Sequence, residues 1–141
     1  FAVIAGLLHE VEDPSLVLES VRRILPKGAR LYVNVPNAES FHRLLALKAN
    51  LIQNQFELSD SNRKFQQHSV FDKSSVLKLL EANGFRAIDS GTIFVKPFTH
   101  HQMQSLIDHK IIDEAILDGL YNLTDLFPDN GSEIFVDSVA V

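Results

Sequence analysis

His68 is the residue of this chain whose type and position best suit proton transfer. It ends a polar, aperiodic stretch, residues 54–68, and comes just before Val70-Phe71 and Asp72. An imidazole has an ordinary pKa of about 6.5, so a histidine can act as a general base near neutral pH. The alternative is a loop histidine that only hydrogen-bonds to the backbone. Because long loops in compact domains often act as lids, the stretch itself is a candidate functional element.

The other histidines and the missing residue types exclude several kinds of chemistry. His100, His101 and His109 lie in a predicted surface helix, at spacings that place no clear pair of metal ligands on one face. A metal site also needs a third ligand, so we expect no metal. The sequence has no cysteine, which removes thiolate zinc sites and cysteine nucleophiles. It also lacks the G-x-S-x-G motif of serine hydrolases.

Local patterns predict the elements that must position these residues, beginning with a strand and a helix. Residues 1–5 are a continuous apolar run, typical of a strand that is covered on both faces of a parallel sheet. Asp13 and Pro14 suit the N-cap and the first position of a helix. Pro26 and Gly28 end that helix. Its apolar stripe consists of Val17, Leu18, Val21, Ile24 and Leu25.

The rest of the chain continues the alternation of strands and helices. Leu31, Val33 and Val35 alternate with polar residues, which predicts a strand that Pro36-Asn37 ends. Further helices are predicted over 39–53, 73–82, 99–109 and 113–126, and further strands over 85–95, with a bend or bulge at Ser90-Gly91, and over 133–141. This order predicts an α/β fold with a parallel sheet and right-handed crossovers.

Three segments together carry a resemblance to a known family. The first runs from Phe1 to Pro14 and reads Phe-Ala-Val-Ile-Ala-Gly-Leu-Leu-His-Glu-Val-Glu-Asp-Pro. The second is Leu25-Pro-Lys-Gly28, and the third is the strand that ends in Val35-Pro-Asn37. Their order resembles the second half of a class I S-adenosylmethionine-dependent methyltransferase of the small-molecule type. In that family a strand leads into a loop of the type L-E-H-V-x-D-P, followed by L-K-P-G-G and V-P-N.

The resemblance implies a fold and a domain organisation. The fold is a partial Rossmann-like α/β sheet with flanking helices, mixed but mostly parallel, whose last strand lies antiparallel beside the strand at 29–35. Residues 1–141 then form one domain, the second half of a catalytic domain, with a helical insertion at about 99–127. This insertion is expected to cover the acceptor side or to form an interface. Phe1 to Ile4 would be an internal core strand of a longer protein.

The resemblance also implies a cofactor, S-adenosylmethionine, which binds in the full-length protein. Ala5, Gly6 and Leu7 would line the methionine side of the cofactor, together with His9 of a His9-Glu10 pair that is inverted relative to many relatives. The alternative is that Gly6 is a simple strand-end turn and that His9-Glu10 is a solvated pair. None of the six glycines is spaced as G-x-G, so the Gly-rich cofactor loop is missing and activity of this chain alone is uncertain.

The acceptor is expected at the carboxyl ends of the strands. Asn37 and Phe41 lie at that edge and are the predicted substrate-binding residues, with His68 as the predicted catalytic base of an O- or N-methylation. Asn37 could instead be a turn or N-cap residue, and Phe41 a core residue. Methyl transfer can also proceed by proximity and orientation alone, without a base. A sugar or another small metabolite is the expected substrate.

The length, net charge and apolar segments of the chain restrict the kinds of partner that it can bind. The 141 residues leave room for one core, and the net charge of −5 with scattered basic residues argues against a nucleic-acid surface. Lys48 interrupts the longest apolar helix candidate, and residues 1–8 lack the features of a signal peptide, so we expect a cytoplasmic protein without a membrane partner. The strand at 1–5 would leave an apolar edge that favours a homo-oligomer. This apolar edge also indicates an alternative function, that of a non-catalytic α/β module that binds a second copy of itself or another partner.

Overall fold

The elements of the protein follow one another in the predicted order. A computed structural model describes residues 1–58 and 67–141. Its strands are β1 (Ala2–Ala5), β2 (Arg30–Pro36), β3 (Phe85–Ile93) and β4 (Glu133–Ala140), and its α-helices are α1 (Pro14–Ile24), α2 (Phe41–Lys48), α3 (Lys73–Ala82), α4 (His100–Asp108) and α5 (Glu114–Asn122). A 3₁₀ turn, Leu123–Asp125, follows α5.

The four strands form one sheet in the order β1-β2-β4-β3. β1 is parallel to β2, and β4 is antiparallel to both β2 and β3. β1, β2 and β3 therefore run in one direction, and only the last strand runs in the other. This arrangement confirms the predicted mixed α/β sheet and the antiparallel position of the last strand beside β2. Three of the four strands share one direction, although two of the three pairings are antiparallel.

One face of the sheet carries the core. Leu31, Val33 and Val35 of β2 are fully buried, as the period of two predicts, and Val33 pairs with the buried Val136 of β4. Leu18 of α1 joins the same core. The other buried members of this cluster are Ile4, Leu8, Phe71, Val76, Leu80, Phe85, Ile134 and Ala140. The core thus binds α1 and α3 to one side of the sheet.

The opposite face is open near β1 within the described residues. Val3 is 55% exposed and pairs with Tyr32, whose ring stacks on Phe135 with centroids 6.4 Å apart. The prediction that the strand at 1–5 is covered on both faces is therefore wrong for the described part of the chain. Apolar composition alone does not distinguish an edge strand from a central one, since both can present continuous hydrophobic residues.

The predicted N-caps at Asp13, Asp72 and Thr99 are present and hydrogen-bonded. The Asp13 side chain accepts from the Ser15 and Leu16 amides, and Asp72 and Thr99 form capping boxes with Ser75 and Gln102. α2 is shorter than its predicted range of 39–53. It ends at Lys48, and Asn50 has φ +57°. A left-handed asparagine of this kind commonly stops a helix.

The irregularity of β3 lies earlier than predicted. The register shifts between Ala87 and Asp89, and not at Ser90-Gly91. Gly91 stays in register with Phe135, and a Cβ at Gly91 would lie 2.8 Å from a carbon of that ring. The glycine therefore serves the close approach of an aromatic side chain rather than a bend.

Candidate functional site

The candidate site lies where β1, β2 and β3 end. Because these strands run in one direction, their carboxyl ends meet at one edge, the region where open α/β sheets bind ligands. Gly6 follows β1, Asn37 follows β2 and Phe94 follows β3, while Glu133 begins β4 at the same edge. We call this region the carboxyl edge.

Gly6 makes an open turn at the carboxyl edge. Its φ of +63° is a left-handed conformation, which favours glycine. Its N–H lies within hydrogen-bond distance of both the carbonyl oxygen (3.2 Å) and the side-chain Oδ1 (3.0 Å) of Asn34. A Cβ at this position would meet only His9 Cε1, at 4.0 Å. Ala5 and Leu7 on either side are exposed, so a ligand can approach this backbone.

His9 lies beneath this turn and not on its surface. It is 6% exposed, and its Nδ1 has no hydrogen-bond partner among the described residues. Burial lowers the pKa of His9, and the nearby Glu10 carboxylate offsets part of that shift. The His9 carbonyl accepts from the amides of His68 (2.8 Å) and Ser69 (3.3 Å). His9 therefore anchors the segment that carries His68, while cofactor contact by its side chain stays a prediction.

The segment 67–71 crosses the carboxyl edge from β1 to β2. Its first half is held at His9, and at its other end the Phe71 carbonyl accepts from Ala38 N at 2.7 Å. The His68 side chain is exposed. The predicted long loop at 54–68 is irregular where it is described, and its residues 59–66 lie outside the described residues. The structure thus places the backbone of His68 at His9, three residues after Gly6.

Asn37 and Phe41 lie at the end of β2 with different neighbours. Asn37 is buried, and its amide donates to the Asp129 and Gly131 carbonyls at 2.9 and 2.8 Å, while its Oδ1 accepts from Glu39 N. These are the bonds of a turn residue, the alternative named for Asn37. Phe41 packs edge-on against Phe127 at 6.0 Å. Substrate contact by Asn37 or Phe41 stays a prediction.

The sequence did not predict a row of polar residues at the carboxyl edge, which consists of Asn34, Glu133, Lys96 and His42. Asn34, whose Oδ1 lies 3.0 Å from Gly6 N, also donates to Glu133 Oε2 at 3.5 Å. Burial raises the pKa of Glu133, against the effect of the Lys96 charge. Burial lowers the pKa of Lys96, and Glu133 offsets part of that shift. Burial, Lys96 and Arg43 together lower the pKa of His42 to about 4, so its ring is neutral at neutral pH.

No sequence signal pointed to this row. Asn34 and Glu133 are 99 residues apart, and each follows an ordinary strand pattern. Lys96 and His42 stand next to Pro97 and Arg43 in segments without a recognisable motif. Only the insertion of β4 between β2 and β3 places these side chains at one edge.

A cavity of about 240 Å³ adjoins Lys96. It lies between the end of β3 and α4 and is lined by Phe94, Lys96, His100, Met103, Gln104, Ile107, Leu117 and Ser132. A second hollow of about 300 Å³ lies over Tyr32 and Phe135, and Tyr121 and Thr124 border it. The first has a charged side chain in its wall, and the second has none.

Two kinds of site are absent from the described part of the chain. Residues 1–58 and 67–141 contain no group of three or more histidine or carboxylate side chains that could hold a metal ion. None of the helices in these ranges has the length and apolar character needed to cross a bilayer.

Solved structures share this architecture. A SAM-dependent methyltransferase from Thermotoga maritima, described as a possible histamine N-methyltransferase, matches 100% of the chain with a TM-score of 0.58 at 19% identity. Phosphoethanolamine N-methyltransferase 2 from Haemonchus contortus, solved in complex with S-adenosyl-L-methionine, matches 98% with a TM-score of 0.52 at 14% identity. The chain has the fold of a class I S-adenosylmethionine-dependent methyltransferase.

The methyltransferase fold extends beyond this chain in the matched structures. The chain spans 56% of the Thermotoga protein and 32% of the Haemonchus enzyme. The [4+2]-cyclase SpnF, matched over 99% of the chain and 48% of its own length with a TM-score of 0.56 at 14% identity, has the same fold and a different activity. No protein-family model and no curated protein sequence matches the chain. The methyltransferase fold therefore describes the architecture of the chain, but the fold alone does not specify which reaction the site catalyses.

Proposed function

We propose that this chain is the carboxyl-terminal part of an S-adenosylmethionine-dependent methyltransferase that acts on a small-molecule acceptor such as a sugar or another metabolite. The observation that carries the proposal is the open Gly6 turn at the carboxyl edge of a sheet with methyltransferase topology. Several structural neighbours are themselves methyltransferases, which supports this proposal over the alternative of a non-catalytic module.

The residues at the end of β1 fit one side of the cofactor. Gly6 leaves space where a side chain would stand, and Ala5 and Leu7 present accessible backbone beside it. When bound, S-adenosylmethionine supplies an electrophilic methyl group on a positively charged sulfur. Ala5, Gly6 and Leu7 would hold its methionine side, and Asn34 would fix the Gly6 amide through its Oδ1. His9 would hold the segment of His68 in place through its carbonyl.

His68 and the end of β2 would serve the acceptor. The exposed His68 imidazole is accessible to a hydroxyl or amine that must lose a proton, and the segment 67–71 keeps it at the carboxyl edge. Asn37 and Phe41 lie along the same edge after β2. In this proposal Asn37 acts through the turn that it fixes at Asp129–Gly131, whereas Phe41 offers an accessible ring.

We also propose that residues 1–141 form a single domain, in which the helical insertion covers the acceptor side. Leu120 of α5 accepts from Val95 N at 3.0 Å, directly after β3, so the insertion is tied to the carboxyl edge. α4 contributes His100, Met103, Gln104 and Ile107 to the cavity beside Lys96. A helical cover at this position would shield an acceptor from water.

A homo-oligomer is the assembly that we propose for this chain. β1 pairs with β2 on one side and with no other strand among the described residues, and its Val3 is 55% exposed. An open apolar edge strand readily pairs with a second copy. The cytoplasm is the compartment that we propose.

Titration with S-adenosylhomocysteine tests the proposed function. We expect amide shifts at Ala5, Gly6 and Leu7 in a heteronuclear NMR spectrum, with an affinity below that of a complete cofactor site because these 141 residues contain no G-x-G loop. Gly6→Val should abolish these shifts, because φ of +63° is strained for a β-branched residue. A variant at an exposed glycine, Gly28→Asn, is the matched control, since asparagine tolerates a left-handed backbone. A folded chain that binds no S-adenosylhomocysteine would contradict a cofactor site on these residues.

A further inference from the structure

We propose that the cavity beside Lys96 binds an anionic group of the methyl acceptor, so that the acceptor is a small acid with an apolar body. This inference rests on the proposed methyltransferase function and specifies its substrate class. It concerns residues of the helical insertion and of the loop after β3, which play no part in the cofactor site at Gly6.

Lys96 is a half-buried cation without a bonded partner in the part of the chain that the structure describes. It makes no hydrogen bond and no ion pair within 4.0 Å among the described residues, whereas Lys73 binds Asp129 at 2.9 Å. Taking an ammonium group out of water is costly unless an anion compensates it. Glu133 is close enough to act on Lys96 through its charge but does not reach it. A bound anion would supply the missing partner.

Two other basic side chains near this edge, among the residues that the structure describes, are neutral or already hydrogen-bonded. The Arg43 guanidinium donates to the Gln55 carbonyl at 2.8 Å and also to the Glu57 carbonyl. The His42 ring carries no charge at neutral pH, because its pKa is about 4. Of Lys96, Arg43 and His42, Lys96 is therefore the charged group that remains available for an anion.

The walls of the cavity indicate the kind of molecule that fits. Lys96, Ser132, His100 and Gln104 provide the polar part of the lining, and Phe94, Met103, Ile107 and Leu117 provide the apolar part. The volume of about 240 Å³ is below the range of roughly 300–1,000 Å³ that is usual for drug-sized ligands. A small molecule with one acidic group and an apolar body matches this combination of size and lining.

The cavity is connected to the proposed cofactor turn through adjacent residues. Ser132 in the cavity wall precedes Glu133, and Glu133 accepts from Asn34, which contacts the Gly6 amide. A molecule held by Lys96 would thus lie at one end of a polar row whose other end is the Gly6 turn. Such an anchor would orient the acceptor, which is a way of lowering the barrier to transfer.

Binding of benzoate, followed by NMR on the purified chain, tests this site. We expect saturable shifts at the amides of Lys96, Ser132, His100 and Gln104, and weaker binding by about tenfold for the neutral analogue benzamide. Lys96→Met keeps most of the unbranched apolar stem and removes the ammonium group, and it should weaken benzoate binding by about tenfold as well. Lys27→Met, at an exposed lysine before β2, should leave the affinity unchanged.

Inorganic phosphate is the second probe and distinguishes the acid groups. Lys96-dependent binding of benzoate supports a carboxylate acceptor, and Lys96-dependent binding of phosphate alone supports a phosphorylated one. Binding of neither probe, or binding that is the same in a folded Lys96→Met variant, would overturn the proposal. Lys96→Met should unfold at the same temperature as the wild type or higher, because it removes an unpaired half-buried ammonium.

The same variant separates this inference from the proposed function. Lys96→Met should bind S-adenosylhomocysteine as the wild type does, since Gly6 and its neighbours are unchanged. If the wild type binds benzoate in a Lys96-dependent way but does not bind S-adenosylhomocysteine, the cofactor site is refuted and the anion site is supported. If the wild type binds S-adenosylhomocysteine but shows no Lys96-dependent binding of benzoate or phosphate, only the anion site is refuted.

Discussion

Gly131 shows how a single residue can fix the end of two strands. Its N–H donates to Thr92 Oγ1 at 2.9 Å, and its carbonyl accepts from the amide of Asn37 at 2.8 Å. A Cβ at this position would lie 2.6 Å from Ile93 N and from Thr92 Oγ1. The local sequence Pro128-Asp-Asn-Gly131 is typical of a turn, but it carries no signal for the close approach of a strand that is distant along the chain.

We predict that Gly131→Ala destabilises the protein by about 1–3 kcal/mol, because the added methyl group collides with backbone atoms of β3 that have little freedom to move. Urea unfolding measures the change. Gly119→Ala is the control, since Gly119 lies inside α5 with nothing within 4 Å of the added atom. Alanine there should stabilise the protein by about 0.5–1 kcal/mol through its helix propensity. Equal effects of the two substitutions would show that the collision at Gly131 is relieved.

The pKa of His42 predicts an acid-sensitive stability. The folded state holds this pKa at about 4, below its ordinary value of 6.5, so between these pH values the unfolded chain binds a proton that the folded chain does not. The stabilisation is therefore complete above pH 6.5 and is lost as the pH falls toward 4. Over the whole window this amounts to roughly 3 kcal/mol at most.

Replacing His42 by glutamine should remove this part of the pH dependence. The lowered pKa of His9 acts in the same direction and the raised pKa of Glu133 in the opposite one, and both remain in the variant. The difference between the unfolding free energies of wild type and His42→Gln, measured from pH 7 down to pH 4, therefore isolates His42. A difference that is independent of pH would contradict the assigned shift.

At the scale of elements, α1 shows what helical periodicity does and does not specify. The N-cap at Asp13, the start at Pro14 and the buried Leu18 follow the sequence prediction. Ile24 belongs to the predicted apolar stripe but is 77% exposed. Periodicity gives a direction around the helix axis, whereas the length of the sheet beneath the helix decides which turns are covered. Ile24 is the last residue of the helix.

We predict that Leu18→Ala and Ile24→Ala differ widely in their cost. Leu18 is fully buried in the core, so truncation should destabilise the protein by about 2–5 kcal/mol through lost burial and a cavity. Ile24→Ala should change the stability by no more than about 0.5 kcal/mol. Thermal or urea unfolding of both variants measures the contrast. A comparable loss for Ile24→Ala would mean that a surface of another copy or segment covers Ile24.

At the scale of the whole molecule, the proposed association depends on the edge of the sheet at β1. We predict that the purified chain sediments as a dimer or larger species, because β1 has one free edge within residues 1–58 and 67–141 and exposes the side chain of Val3. Val3→Lys should weaken association by about tenfold or more, since a charge at an edge opposes strand pairing. Leu51→Lys, at a 78% exposed residue outside the strands, should not. A monomer at high concentration would argue against this assembly.

The local patterns of the sequence determined most of the fold. The caps at Asp13, Asp72 and Thr99, the alternation in β2 and the order of strands and helices all depend on residues within a few positions of one another. Such short-range preferences are readable because the backbone geometry of a turn, cap or strand is set by its immediate neighbours. The resemblance added the antiparallel position of the last strand, which the sheet confirms.

Tertiary structure alone decided the make-up of the carboxyl edge. Pairing of β4 with both β2 and β3 places Glu133 beside Asn34 across 99 residues of sequence, and the fold of the insertion places α4 over Lys96. It also left the side chain of Val3 exposed, where the continuous apolar run predicted a strand covered on both faces. These features depend on which strands pair and on how far the sheet extends. No short stretch of sequence specifies either of them, because the free energy of such pairing is summed over the whole sheet.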